Sequence, residues 1–177
     1  MNSENAKKVR NYLTKKGLSK KEITALMANI AVESGYTFDS AKKQEGERSD
    51  PAYGLFQFDP RGKGLSNIYQ EYLKDKEKTD SMESQLDFMV ESLNKEYKKG
   101  TEHIGYGNVS KYNEAVRTGN VEDITKFISN NILRPGKPHM DRRLQAAEDL
   151  MPSVYEETGT NVTKRSAVRA NTFPEAM

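Results

Sequence analysis

The residue best placed to take part in a reaction is a glutamate on the apolar stripe of a predicted helix. Ile23, Leu26, Met27 and Ile30 are spaced at i, i+3, i+4 and i+7, and Glu33 continues the same face. A glutamate that faces a protein core is costly unless it is paired or functional. Burial and the negative carboxyl end of the helix both favour the protonated acid, the form that a proton donor needs. On spacing alone, the favoured interpretation is a solvated glutamate at a frayed helix end, and a general acid is the alternative that the next segment supports.

The second candidate for chemistry is an aromatic segment further along the chain. Tyr53-Gly54-Leu55-Phe56-Gln57-Phe58 is an apolar run that contains one amide, Gln57, and Gly54 suggests a close backbone approach or a positive φ angle. With Tyr36 and Phe38, these rings could line a groove for sugar faces, and Gln57 could aim hydrogen bonds into it. The alternative is a hairpin buried in the core. The carboxylate nearby in the sequence favours the groove.

Helices must position these candidates, because helical periodicity dominates the chain. Ser19 and Glu22 predict a capping box at the start of the glutamate-bearing helix, and Gly35 predicts its end. Asn120 is a predicted N-cap of a later helix. Other apolar faces predict helices that begin near Ser3, Leu65, Met82 and Met140, and a short one around Tyr112 after a Gly-rich link. Residues 36–63 lack this period and predict loops with a small hairpin.

Composition and charge limit the class of protein. The 177-residue chain carries 28 Lys and Arg against 26 Asp and Glu, which argues against a dedicated nucleic-acid-binding protein. It has no cysteine, so disulfides, thiolate metal sites and a cysteine nucleophile are excluded. Two isolated histidines, His103 and His139, argue against a zinc site, and no cofactor is expected. No apolar run is long enough to span a bilayer and no signal peptide is evident, so we expect a soluble protein.

The end of the chain differs in composition from the rest. From Pro152 onward, Glu, Thr, Asn, Lys and Arg dominate and little can be buried. We therefore predict a folded domain over residues 1–151 and a polar C-terminal tail over residues 152–177. The predicted role of the tail is an extension that binds a partner chain.

Five short segments form an ordered pattern. Residues 28–35 end a helix with Glu33-Ser34-Gly35, and residues 52–58 carry a GLxQ motif. The others are Gly17-Leu18-Ser19, Gln85-Leu86-Asp87-Phe88-Met89, and a late stretch from Phe127 through Arg134-Pro135-Gly136 and Arg143 to Ala146-Ala147. Taken in their order along the chain, over residues 6–151, the segments resemble the phage tail lysozyme family, which comprises virion-associated peptidoglycan-degrading domains of the lysozyme-like superfamily.

The resemblance implies a mainly α (α+β lysozyme-like) fold. Six to seven helices are expected around a substrate cleft, with Glu33 as the catalytic general acid at its floor. The expected substrate-binding residues are Ser34, Tyr36, Tyr53, Gly54, Gln57, Phe58 and Tyr112. Three positions depart from the family pattern: Phe58 replaces its tryptophan, Ala28 its glycine, and Leu133 an acidic residue.

The resemblance also implies an activity and a place of action. The expected enzyme is a glycoside hydrolase or a lytic transglycosylase that cleaves the β-1,4 bond between N-acetylmuramic acid and N-acetylglucosamine. A hydrolase ordinarily needs a second carboxylate, and no spacing selects one among Asp39, Glu45, Glu47 and Asp50.

We expect a phage tail or baseplate component that opens the bacterial wall locally during genome delivery. Its expected partners are peptidoglycan glycan strands and other tail proteins, and no nucleic acid. The alternative is a structural tail or baseplate subunit with a lysozyme-like fold and little or no activity.

Overall fold

The protein is built mainly of helices, as predicted. The computed structural model describes residues 3–44, 50–61 and 64–156. In these segments the α-helices are α1 (Glu4–Lys15), α2 (Lys20–Glu33), α3 (Leu65–Asp75), α4 (Met82–Leu93), α5 (Lys98–Ile104), α6 (Tyr106–Thr118), α7 (Val121–Phe127) and α8 (Met140–Glu156). A π-helical segment, Ile128–Leu133, continues α7. None of these helices is both long and apolar enough to cross a membrane.

The predicted helix starts are confirmed by their caps. The Ser19 side chain accepts from the backbone N–H of Glu22, and the Glu22 carboxylate accepts from that of Ser19 at 2.8 Å. Asn120 and Asp123 make the same reciprocal pair at the start of α7. Each pair satisfies amide groups that a helix start leaves without an intrahelical partner, so the residues at these positions set where α2 and α7 begin.

α2 is the central helix of the fold. Residues 23–31 are all buried, and α2 packs against α1, α7 and α8. Lys20 lies over the ring of Tyr155 at one end of the α2–α8 pair, while Arg143 bonds to Glu33 at the other. The two helices therefore run in opposite directions, which brings the start of α8 beside the end of α2.

The non-helical region predicted near 36–63 is present in the described parts of that range. Isolated antiparallel bridges pair Tyr53 with Lys43 and with Phe58. Gln85 of α4 supports this region, because its amide oxygen accepts from Leu55 N at 2.9 Å. Gly54 has a φ of 82°, and a Cβ there would lie 2.7 Å from the Gln85 amide oxygen. A glycine is required at this turn for both reasons.

The helices outnumber the expected six to seven, and the Gly-rich link predicted after α4 is the reason. Residues 98–104 form α5 instead of a link, and Gly100 lies inside that helix. A Cβ at Gly100 would come within 2.0 Å of the Ser92 hydroxyl oxygen. Gly100 allows α5 to pack closely on α4, so this glycine marks a helix contact and not a flexible link.

The last helix extends past the predicted domain boundary. α8 includes Pro152 and ends at Glu156, with Val154 buried. Arg10 of α1 donates to the carbonyl of Ser153 at 3.1 Å, which anchors this final turn. The boundary expected at residue 151 therefore falls within α8, and the rest of the expected tail, residues 157–177, lies outside the described residues.

Candidate active site

Glu33 is the last residue of α2 and its side chain is 13% exposed. The chain turns sharply after it, because Gly35 adopts a φ of 61° and Tyr36 a φ of 66°. Ser34 is fully buried, and its hydroxyl accepts from the backbone N–H of Phe38 at 3.0 Å. The helix end and the turn together hold the carboxylate at the edge of the core, with part of it open to solvent.

Arg143 pairs with the Glu33 carboxylate from the start of α8. Its Nη2 donates to Glu33 Oε1 at 2.5 Å, and its side chain is only 1% exposed. Within the described segments, the Glu33 carboxylate makes both its hydrogen bond and its ion pair with Arg143. The arrangement is an ion pair in which one partner is fully buried and the other reaches the surface.

Asn29 completes the cluster one helical turn before Glu33. Its side-chain oxygen accepts from Arg143 Nη1 at 3.0 Å. Its amide nitrogen donates to the carbonyl of Ala25 at 2.9 Å and to that of Thr125 in α7 at 3.2 Å. We refer to Glu33, Arg143 and Asn29 as the Glu33 cluster; it links α2, α7 and α8.

Unusual backbone conformations surround this cluster in the sequence. Of the seven non-glycine residues with positive φ in the described segments, five lie in the loops after α2 or before α8: Tyr36, Phe38, Gln57, Arg134 and His139. Side chains of these types pay about 1–3 kcal/mol for such a conformation, and strained positions of this kind concentrate at functional sites. The π-helical segment that leads into Arg134 is another feature common near active sites.

Three of the predicted substrate-binding residues, Tyr36, Tyr53 and Gln57, are half-buried on the loops. Tyr36 is half-buried, and the guanidinium of Arg142 lies 5.7 Å from its ring centre. Tyr53 is half-buried and accepts from Gln70 at 2.9 Å. Burial raises the pKa of Tyr53, and the charge of Asp80 adds to that rise.

Gln57 is also half-buried, and its amide nitrogen donates to the carbonyl of Gly54 at 3.0 Å. That bond uses a donor expected to point at substrate. Gly54 itself is buried under the turn against Gln85, so its role is to shape the loop.

Phe58 and Tyr112 occupy the core. Phe58 is 1% exposed and stacks on Tyr69 with ring centres 4.2 Å apart. Tyr112 is 2% exposed, packs on Phe127, and donates to a carboxylate oxygen of Glu22 at 2.9 Å. No ring face of either residue is open to a sugar, so we do not propose a substrate-binding role for them. The buried Ser34 likewise shapes the turn after Glu33.

The carboxylates considered as a second catalytic group are only partly covered by the structure. Asp39 accepts from the backbone N–H of Ala41 at 2.9 Å and forms a local turn. Asp50 is exposed, and Glu45 and Glu47 lie outside the described residues. Across those described residues, no group of three histidine, cysteine or acidic side chains could hold a metal ion.

The sequence-based prediction overlooked the roles of Asn29 and Arg143. Asn29 interrupts the otherwise apolar run of α2, and a polar side chain on an inward helix face needs a partner. That requirement could have marked it as a site residue. Arg143 belongs to one of the five matching segments, but nothing in its local spacing shows that it pairs with a carboxylate 110 positions earlier.

The helical architecture and the carboxylate at the end of the central helix fit a mainly α, lysozyme-like domain. The family model described as phage tail lysozyme matches residues 4–153, and the chain belongs to that family. Membership assigns it to a lysozyme-like class whose substrate is the peptidoglycan of the cell wall. No curated protein matches the chain.

Proposed function

We propose that this chain cleaves the β-1,4 bond between N-acetylmuramic acid and N-acetylglucosamine, with Glu33 as the proton donor. The observation that supports the proposal is the position of Glu33. Its carboxylate is 13% exposed at the end of the buried helix α2, in a chain whose family is the phage tail lysozymes. A carboxylic acid at the edge of a core can reach a bound sugar while most of the water is excluded from it.

The reaction in this proposal begins with proton transfer from Glu33. Glu33 gives its proton to the glycosidic oxygen as the muramyl C1–O bond breaks, so the leaving sugar gains a 4-hydroxyl group and Glu33 becomes a carboxylate. In a lytic transglycosylase, this carboxylate then removes the proton of the muramyl 6-hydroxyl as that oxygen attacks C1. In an inverting hydrolase, water attacks C1 from the opposite face and a second carboxylate removes its proton.

The biological setting in this proposal is a phage tail or baseplate that acts on the wall and reaches the periplasm. Local cleavage of glycan strands would open the wall during genome delivery, and other tail proteins would hold the domain in the particle through residues beyond α8. Family membership supports the wall as substrate; the attachment is a separate part of the proposal, and binding of the purified chain to isolated tail particles tests it.

The deciding experiment is mass spectrometry of the muropeptides that the purified chain releases from peptidoglycan. Glu33→Gln keeps the shape and removes the acid, and we expect it to lower the rate about 10²–10⁴-fold. Glu83→Gln is the matched control, because Glu83 is an exposed glutamate in the first turn of α4. An undiminished rate in Glu33→Gln would contradict the proposal.

The products also separate the two chemistries. Reducing ends identify a hydrolase, and Asp39→Asn and Asp50→Asn then test two of the candidate bases. Anhydro ends identify a transglycosylase. If neither the wild-type protein nor the Glu83→Gln control releases muropeptides, the chain is instead a structural tail subunit with a lysozyme-like fold.

A further inference from the structure

Arg143 is a buried charge that bonds to Glu33, to Asn29 and to the loop before α8. Its Nε donates to the carbonyl of Pro138 at 2.6 Å, and its Nη1 donates to the side-chain oxygen of Asn29 at 3.0 Å. Nη1 also reaches the Asn29 carbonyl at 3.4 Å, and Nη2 bonds to Glu33 Oε1 at 2.5 Å. All three nitrogens of the planar guanidinium therefore donate hydrogen bonds.

We infer that Arg143 is the positioning residue of the Glu33 carboxylate and that Asn29 fixes Arg143 for this task. The inference rests on the proposed function of Glu33 as the acid. It adds a residue that acts through Glu33 and does not itself touch the substrate.

The geometry of the guanidinium carries the first step. An arginine fork is planar and rigid, so fixing Nε and Nη1 also determines where Nη2 points. Pro138 and Asn29 supply those two fixed contacts, and Asn29 is itself held by backbone carbonyls of α2 and α7. The location of Glu33 Oε1 is thus tied to the backbone of the fold, and not to the flexible glutamate side chain alone.

The incomplete pairing of Glu33 carries the second step. A buried ion pair is weak evidence for stability, because removing two charges from water costs as much as their attraction returns. Arg143 engages Oε1, and no described residue is seen to bond Oε2. One oxygen is held while the other is left for the glycosidic oxygen. After proton transfer, the guanidinium also stabilises the carboxylate that forms.

The loop before α8, which presents the Pro138 carbonyl to Arg143, is itself strained, and this is the third observation behind the inference. Arg134 and His139 both have a φ of 46° and enclose the segment that presents the Pro138 carbonyl. Arg143 donates its backbone N–H to His139 at 3.2 Å, so the loop also sets the start of α8. Strain of this kind persists only when the surrounding structure over-determines it.

The test compares Arg143→Met and Arg143→Lys with a matched control. Arg10→Met is that control, because Arg10 is also a buried arginine that bonds to α8, through the Ser153 carbonyl, and is not a contact of Glu33. For each variant, kcat and KM are measured on soluble, uncross-linked glycan strands, and folding is checked by circular dichroism and Tm.

We expect Arg143→Met to lower kcat about 10²-fold at an unchanged KM, since small misplacements of a catalytic group have effects of that size. Arg143→Lys should recover part of the lost kcat, because it keeps the charge but not the fork. Arg10→Met should keep the wild-type kcat even where it lowers Tm. If Arg143→Met does not fold, a lower kcat at unchanged KM in Arg143→Lys supports the inference.

Three results would overturn the inference: wild-type kcat in a folded Arg143→Met, wild-type kcat in Arg143→Lys where Arg143→Met does not fold, or an equal loss of kcat in Arg10→Met. Its failure is distinct from failure of the proposed function. An active Glu33→Gln variant removes the acid assignment, whereas an inactive Glu33→Gln with a fully active Arg143→Met removes only the role of Arg143.

Discussion

Glu33 and Asp87 are both carboxylates that the fold takes largely out of water, and they are paired in different ways. The Glu33 side chain is 13% exposed and contacts Arg143 through one oxygen. The Asp87 side chain is 8% exposed, and both of its oxygens are engaged. We call Asp87 and the three side chains that bond to it, Tyr12, Lys16 and Lys78, the Asp87 cluster. We call the Glu33 carboxylate open, because one of its oxygens has no described partner, and the Asp87 carboxylate and its cluster closed, because both oxygens are engaged.

The closed cluster joins α1, α4 and the loop between α3 and α4. Asp87 Oδ1 accepts from Tyr12 at 2.8 Å and from Lys16 at 2.6 Å, and Oδ2 accepts from Lys78 at 2.6 Å. Burial alone would raise the pKa of Asp87, but hydrogen bonds from Lys16, Lys78 and Tyr12 outweigh it and hold that pKa below its usual value. Both oxygens of Asp87 are thus occupied by donors, whereas one oxygen of Glu33 has no described partner and is open to a ligand.

Replacing the open carboxylate should give the largest effect on activity. We expect Glu33→Gln to lower muropeptide release about 10²–10⁴-fold. Its Tm should fall as well, because the amide oxygen still accepts from Arg143 but the buried guanidinium loses its counter-ion. Release assays at 25 °C, well below Tm, paired with calorimetry measure both quantities. A wild-type release rate in a folded Glu33→Gln would contradict the role of the open carboxylate, and the contrast with Asp87 would disappear.

Replacing the closed carboxylate should change stability alone. Asp87→Asn turns an amide N–H toward one of the lysines, and we expect it to reduce the free energy of unfolding by about 1.5–3 kcal/mol. That loss corresponds to a fall in Tm of about 3–12 °C for a chain of this size. At 25 °C, kcat should equal that of the wild type. Lost activity well below Tm would show that the two clusters are coupled.

The Asp87 cluster should also dominate the acid sensitivity of the fold. The pKa of Asp87 is lowered in the folded state. Its stabilisation of the fold is therefore fully present above the unfolded-state pKa, near 3.9, and is lost as the pH falls through the folded-state pKa. The urea midpoint, measured between about pH 6 and pH 2, should therefore fall less steeply in Asp87→Asn than in the wild type.

Asp75 provides the control for this pH dependence. Hydrogen bonding from Lys99 also lowers the pKa of Asp75, but the side chain is 43% exposed and the pair is screened by solvent. Asp75→Asn should leave the acid limb of the wild-type curve nearly unchanged. An equal flattening by both variants would assign the acid sensitivity to general charge effects and not to the closed cluster.

What the sequence predicted well is local. The capping box of Ser19 with Glu22 and the inward position of Glu33 both follow from spacings of three or four residues, the range over which helix geometry acts. The partners of the buried charges are not local. Arg143 lies 110 positions from Glu33, and Tyr12 lies 75 positions from Asp87, so only packing of whole helices brings them together.

The aromatic segment shows a second limit. Its pattern of rings suits a sugar-binding groove and a packed core equally well, since both surfaces are apolar. Tyr53 remains half-buried at the edge, whereas Phe58, five positions later, stacks within the core on Tyr69. Gly54, between these two rings, lies close to Gln85, and this contact between α4 and the loop is one that no local pattern contains.

The smallest and sharpest test of the closed cluster removes one hydrogen bond and no charge. Tyr12→Phe deletes the hydroxyl that donates to Asp87 and keeps the ring over which Lys16 lies at 5.3 Å. Burial and the Asp87 carboxylate raise the pKa of Tyr12, so this hydroxyl stays a donor through the neutral range. We expect a loss of about 0.5–1.5 kcal/mol by urea unfolding.

The same variant should move the acid limb of the urea curve to higher pH. With one donor fewer, the pKa of Asp87 rises toward its usual value, and the carboxylate is protonated earlier as the pH falls. Muropeptide release should stay at the wild-type rate. An unshifted acid limb would mean that Lys16 and Lys78 alone hold the Asp87 charge, and that the closed cluster is an ion-pair network to which the tyrosine contributes only its ring.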